Sequence, residues 1–94
     1  MGAAIRIAVV DDHHLFRAGV IELLRAVPDF EIVAEGGSGI EAISIATEAK
    51  PDILILDVQM PGPGAEATIR WVRAASPATS TAAGVPRTRK VRPM

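Results

Sequence analysis

At 94 residues, with 49% hydrophobic and 22% charged residues, the chain has the length of one small domain and a composition that excludes an extended disordered protein. It has no cysteine, which excludes a disulfide framework and a thiolate zinc site and suits a reducing compartment. The net charge of −1 hides an asymmetry: all eleven acids lie before Pro77 with six of the ten basic residues, whereas Arg87, Arg89, Lys90 and Arg92 face no acid at all.

No apolar run approaches the roughly 20 residues that span a bilayer, and the N-terminus lacks a basic region followed by a long apolar stretch. The sequence therefore reads as a soluble, cytoplasmic protein without membrane association. Ile5 to Val10 is a short β-branched run ending at Asp11-Asp12, the pattern of a buried parallel strand. Phe16, Val20, Leu23, Leu24 and Val27 then recur at helical spacing until Pro28-Asp29 stops them. Glu31 to Glu35 forms a second strand bounded by Gly36-Gly37, after which Ser38 caps a helix running to about Lys50, with Ile43 and Ala46 inward. Ile53-Leu54-Ile55-Leu56 is a continuous apolar run ending in Asp57, which predicts a strand covered on both faces. The loop Met60-Pro61-Gly62-Pro63-Gly64 leads into a third helix from about Ala65 to Ala74, with Ile69 and Val72 facing in.

Strands alternating with helices at this spacing imply right-handed βαβ units and a parallel sheet, an α/β protein. From Pro77 the pattern ends. Residues 1–77 read as a domain of three βα units and residues 78–94 as a basic irregular tail.

In an open parallel sheet, ligands collect beyond the carboxyl ends of the strands where strand order reverses. Asp11 and Asp12 close the first strand and Asp57 closes the third, so neighbouring strands would bring three carboxylates together. Such a cluster needs protons or a cation, and an all-oxygen site open to water suits Mg²⁺. A carboxylate beside that ion can attack phosphorus. Acids at strand ends also cap helices and solvate loops, and spacing alone leaves both readings open.

Val10-Asp11-Asp12-His13-His14-Leu15-Phe16-Arg17-Ala18-Gly19 and Leu56-Asp57-Val58-Gln59-Met60-Pro61-Gly62 resemble the two signature segments of receiver domains in the NarL/FixJ group of response regulators. The resemblance covers about Ile5 to Pro77. It implies a flavodoxin-like, CheY-like sheet, Asp57 as phosphoacceptor taking its phosphoryl group from a sensor histidine kinase, and Mg²⁺ as cofactor. By the same matching, Asp12, Asp57 and the Gln59 backbone carbonyl would bind the ion directly and Asp11 through water. The chain would be a signalling module of a two-component system rather than a turnover enzyme, and its parent a DNA-binding transcriptional regulator.

The family has two further βα units, carrying a hydroxyl residue and a lysine that sense the phosphoryl group. Thr79, Thr81, Thr88 and Lys90 have no apolar strand before them and match neither. The abrupt change near Pro77 resembles a truncation or a change of reading frame, and it predicts an exposed third-strand edge through which the chain self-associates. The alternative function is a non-switching receiver fragment that only dimerises or binds a kinase. An aspartyl-nucleophile phosphatase would want an acid two residues after Asp57, where Gln59 stands.

His13 and His14 read as loop surface, since adjacent histidines at a helix start point in different directions. Gly36-Gly37-Ser38-Gly39 lacks the spacing and lysine of a phosphate loop and reads as a turn and helix cap. The basic tail has neither aromatics nor a groove-fitting helix, so no nucleic-acid binding is expected from this chain itself. Trp71 is a packing or partner-surface residue.

Overall fold

The first strand, β1 (Ile5–Val10), buries its last four residues, as expected of β-branched side chains covered on both faces. In this computed structural model, which describes residues 4–57 and 64–84, it is followed by α1 (His14–Arg25), β2 (Phe30–Gly36), α2 (Gly39–Glu48), β3 (Ile53–Asp57), α3 (Ala65–Ala75) and β4 (Ser80–Gly84). The strands form one parallel sheet in the order β2-β1-β3-β4. The chain moves outward from β1 to β2 and then crosses back to β3, so strand order reverses between β1 and β3.

Alternate residues divide the core between the two faces of the sheet. Ala8 and Val10 of β1 and Leu54 and Leu56 of β3 pack with Ala42, Ala46 and Val72 from α2 and α3. Ile7 and Val9 pack with Ile21 of α1 on the opposite face, with Val20, Leu24, Ile53 and Ile55 partly buried around them. Ile43 and Ile69 lie against the first cluster, so the expected inward faces of α2 and α3 are found. On α1 the buried position is Ile21 rather than the expected stripe: Phe16 is 43% exposed and Leu23 74%.

Two expectations are corrected. Residues 80–84 are not irregular but form β4, paired in parallel to β3 with Ile53 opposite Ser80 and Asp57 opposite Gly84. Consequently β3 is not an edge strand. The strand escapes hydrophobic patterning because Ser80-Thr81-Ala82-Ala83-Gly84 contains no large apolar residue, and Ala82 and Ala83 remain exposed. Its order comes from backbone pairing and from its lead-in. Thr79 is buried, donates its hydroxyl to the Pro51 carbonyl at 2.6 Å and shares a 2.7 Å hydrogen bond with Ser76. The basic residues Arg87, Arg89, Lys90 and Arg92, and Thr88, lie outside the described residues.

The amino ends of the strands are tied together. The amide of Arg6 donates to Asp52 Oδ2 at 2.8 Å, Asp52 returns its amide to the Arg6 carbonyl, and Ser80 donates to the Asp52 carbonyl. Arg6 also donates through its guanidinium to the carbonyls of Lys50 and Ala49, at the end of α2. Lys50 sits at φ 44°, a left-handed conformation that ends α2 just before Pro51.

Thr79→Val should lower unfolding free energy by about 1–3 kcal/mol in urea titration, because the Pro51 carbonyl and Ser76 hydroxyl lose their buried partner. Lys50→Gly should raise it by about 0.5–1 kcal/mol, since a side chain in the left-handed region costs roughly 1–2 kcal/mol and glycine's extra unfolded-state freedom returns part of that.

Candidate functional site

Val10 lies opposite Leu56 in the β1–β3 ladder, so Asp11 and Asp57, one residue further on each, leave the sheet side by side. Neighbouring parallel strands are about 4.8 Å apart. Both acids share the parity of Val9 and Ile55 and therefore emerge on the α1 face. They line one small cleft of about 40 Å³ with Val9, Phe16, Val20 and Ile55. Asp11 is 5% and Asp57 8% exposed, whereas Asp12 is exposed. The site has two carboxylates against an apolar floor and a third open to water, at the reversal of strand order where ligands gather in such sheets.

The turn between β1 and α1 holds this geometry. Asp11 Oδ1 accepts the amide of His13 at 2.7 Å, and the Asp11 amide donates to the Gly36 carbonyl at the end of β2. One ligand atom from each of Asp11, Asp12 and His13 lies within 4.8 Å of the others. The two carboxylates of this group have the donor chemistry of a small, hard divalent cation, and Asp57 is not part of the group. His13, read from the sequence as loop surface, is exposed yet belongs to this group. His14 instead places Nδ1 3.2 Å from Arg17 Nη2. Gln59 and the loop to Pro63 lie outside the described residues.

The neighbouring β2–α2 turn is built around small residues. Ser38 caps α2 by accepting the Glu41 amide at 3.1 Å, while Glu41 reaches back to the Gly37 amide, a reciprocal capping arrangement. The turn and cap expected of Gly36-Gly37-Ser38-Gly39 are thus observed. A Cβ at Gly36 would stand 3.0 Å from the Glu41 Cβ and 3.1 Å from Ile45 Cδ1. Sequence reasoning gave Arg17 no role of its own; the structure brings its guanidinium to the Asp11 carbonyl, 2.6 Å away.

At the level of Asp57, β4 presents Gly84. Thr81, three residues earlier and so about 10 Å down the strand, is the nearest hydroxyl-bearing residue of β4. Thr79 lies at the opposite end of the sheet.

Gly36→Ala should cost about 1–3 kcal/mol in unfolding free energy by urea denaturation, because the added methyl meets a helix-anchored Cβ rather than a flexible chain end.

The family model for the response regulator receiver domain matches residues 7–83. The chain is 43% identical over 70 residues to the response regulator GacA of Pseudomonas viridiflava, covering 73% of this chain and 33% of that protein. It is also 43% identical over 65 residues to the transcriptional regulatory protein DegU of Brevibacillus brevis, covering 68% and 28%. Among solved structures, the receiver domain of the putative response regulator NarL from Mycobacterium tuberculosis superposes with a TM-score of 0.79 at 31% identity, covering 85% of this chain and 64% of that one. The response regulator domain of Thermotoga maritima CheB gives a TM-score of 0.78 at 28% identity, covering 83% and 57%. The chain spans about a third of the length of these curated relatives. With a matched family model over most of its length and the same parallel sheet, the chain belongs to the response regulator receiver domain family.

Proposed function

We propose that the chain is the phosphoacceptor module of a two-component response regulator, with Asp57 as the residue that receives the phosphoryl group. The observation that carries this reading is the side-by-side emergence of Asp11 and Asp57 from the two central strands, over an apolar floor and beside the exposed Asp12.

The chemistry follows from the positions of these residues. A carboxylate oxygen of Asp57 attacks phosphorus, the bond from phosphorus to the donor's leaving atom breaks, and the leaving group departs with the bonding pair and takes up a proton. A phosphohistidine on a sensor kinase is the donor class proposed. Asp57 stands at the end of a strand paired on both sides, which fixes its backbone at the site from which its carboxylate would attack. Asp12 and Asp57, with the Gln59 backbone carbonyl, would hold Mg²⁺ directly, and Asp11 would hold it through water. When bound, the ion supplies neutralisation of the phosphoryl oxygens' charge. Asp11 keeps its place through the His13 amide. The module changes state once per phosphorylation and is not a turnover enzyme.

A cytoplasmic location is proposed from the match to the receiver domain family; among the described helices none is long and apolar enough to cross a membrane. The parent protein is proposed to be a DNA-binding transcriptional regulator; the name of the similar DegU describes that protein as a transcriptional regulatory protein. Self-association is proposed through the outer edge of β4, whose small exposed residues offer no steric guard.

Incubation with acetyl phosphate and Mg²⁺, followed by intact-mass measurement, should show one acid-labile phosphoryl adduct on the chain. It should be absent in Asp57→Asn, and Asp12→Asn should reduce its formation at least 10-fold without changing stability by more than about 0.5 kcal/mol, the usual range for an exposed side chain. An adduct that persists in Asp57→Asn would place the acceptor elsewhere.

A further inference from the structure

Arg17 lies on α1 one helical turn beyond His13, and its side chain is only 12% exposed. Nη1 donates to the Asp11 carbonyl at 2.6 Å and to the Gly36 carbonyl at 3.1 Å. Nε donates to Glu35 Oε1 at 2.9 Å, and Nη2 meets His14 Nδ1. One planar group thus joins α1 to the ends of β1 and β2. The loop makes room for it: a Cβ on Gly37 would stand 3.2 Å from Nη1. An interaction between elements at this point bears on Asp11 directly, because the carbonyl it grips belongs to the residue whose carboxylate enters the site.

We propose that Arg17 is a positioning residue of the acidic site, fixing the peptide that follows Asp11 so that Asp11 and Asp12 present their carboxylates together. The inference rests on the phosphoacceptor reading above, and it deepens that reading by naming what holds the metal-binding turn in place. The grip on the Asp11 and Gly36 carbonyls needs a long cationic donor, and the guanidinium fork adds the Glu35 contact. A single ammonium at the same position can reach the two carbonyls but cannot also keep the Glu35 contact in the same plane.

Two effects of Arg17 on a divalent cation have opposite signs. As a nearby positive charge it repels the ion, so its removal would tighten binding. As a positioning residue it preorganises the ligands, so its removal weakens binding, and outer partners of metal ligands typically contribute 10–100-fold in affinity. Glu35, 2.9 Å from Nε, offsets much of the charge, which leaves positioning as the larger effect.

The test titrates the full chain with MgCl₂ and follows the backbone amide resonances of residues 11–13 by NMR, under conditions where circular dichroism shows each variant folded. Arg17→Met should raise the Mg²⁺ dissociation constant about 10-fold or more, and Arg17→Lys should stay within about 3-fold of wild type. The amide of His13, bonded to Asp11 Oδ1, should lose hydrogen-exchange protection in Arg17→Met and keep it in Arg17→Lys. Unchanged or tighter Mg²⁺ binding in Arg17→Met overturns the proposal, as does a lysine variant no better than methionine. Should Arg17→Met not fold, Arg17→Gln carries the same test: weaker Mg²⁺ binding than in wild type supports the proposal and equal affinity overturns it. If wild type itself shows no Mg²⁺-dependent shifts, the metal-dependent reading fails, and exchange at His13 then decides Arg17 alone, with equal protection in wild type and Arg17→Met overturning its role.

Discussion

Parallel pairing of β1 with β3, in the register that sets Val10 opposite Leu56, is the constraint on which the site depends. Side chains alternate along a strand, so a slip of one residue would send Asp57 to the α2–α3 face while Asp11 stayed on the α1 face. It would also exchange Leu54 and Leu56 with Ile53 and Ile55 between two differently shaped cores. Leu54 and Leu56 are fully buried against α2 and α3, whereas Ile53 and Ile55 are only partly covered beside α1. Core packing therefore opposes any register that would separate the acids.

The register is pinned at the opposite end of the sheet from the chemistry. The Asp52 amide donates to the Arg6 carbonyl, the Asp52 carboxylate accepts the Arg6 amide, and the Asp52 carbonyl accepts the first amide of β4. The Arg6 guanidinium then fastens the end of α2 to the same knot. These bonds leave the carboxyl ends of the strands with short turns and polar groups rather than packed side chains. There the joining is done by α1 and by the end of β2: the Arg17 guanidinium donates to the carbonyls of Asp11 and Gly36, the Asp11 amide donates to the Gly36 carbonyl, and the His13 amide donates to the Asp11 carboxylate. One end of the sheet sets alignment and the other carries function, an arrangement common to open α/β sheets.

The faces of the sheet are unequally covered. Two helices close one side, and their contact with each other and with β1 and β3 builds the larger core cluster. On the other side α1 alone covers β1 and β2, and its flank leaves Phe16 and Leu23 in solvent. The apolar cleft beneath Asp11 and Asp57 opens on this thinner side, which gives a ligand access to the carboxylates from outside the sheet.

The sequence by itself determined most of the elements and the identity of the acids. Short apolar runs rich in β-branched residues, interrupted only by Arg6, mark β1 and β3 as central strands, and Ser38 marks the start of α2 because its capping bond is local. The acids at the ends of β1 and β3 were legible for the same reason, as the point where an apolar run stops. What only the tertiary structure decided is everything that depends on partners distant in the chain. β4 has no hydrophobic pattern to read; it exists because β3 offers an edge and Thr79 is tied to Pro51. The burial of Ile21 rather than Leu23 depends on how α1 lies across the sheet. Arg17 looks like any surface arginine in sequence, and its grip on Asp11 arises only when β1, β2 and α1 meet, because carbonyls from two different strands must converge before one guanidinium can hold them both.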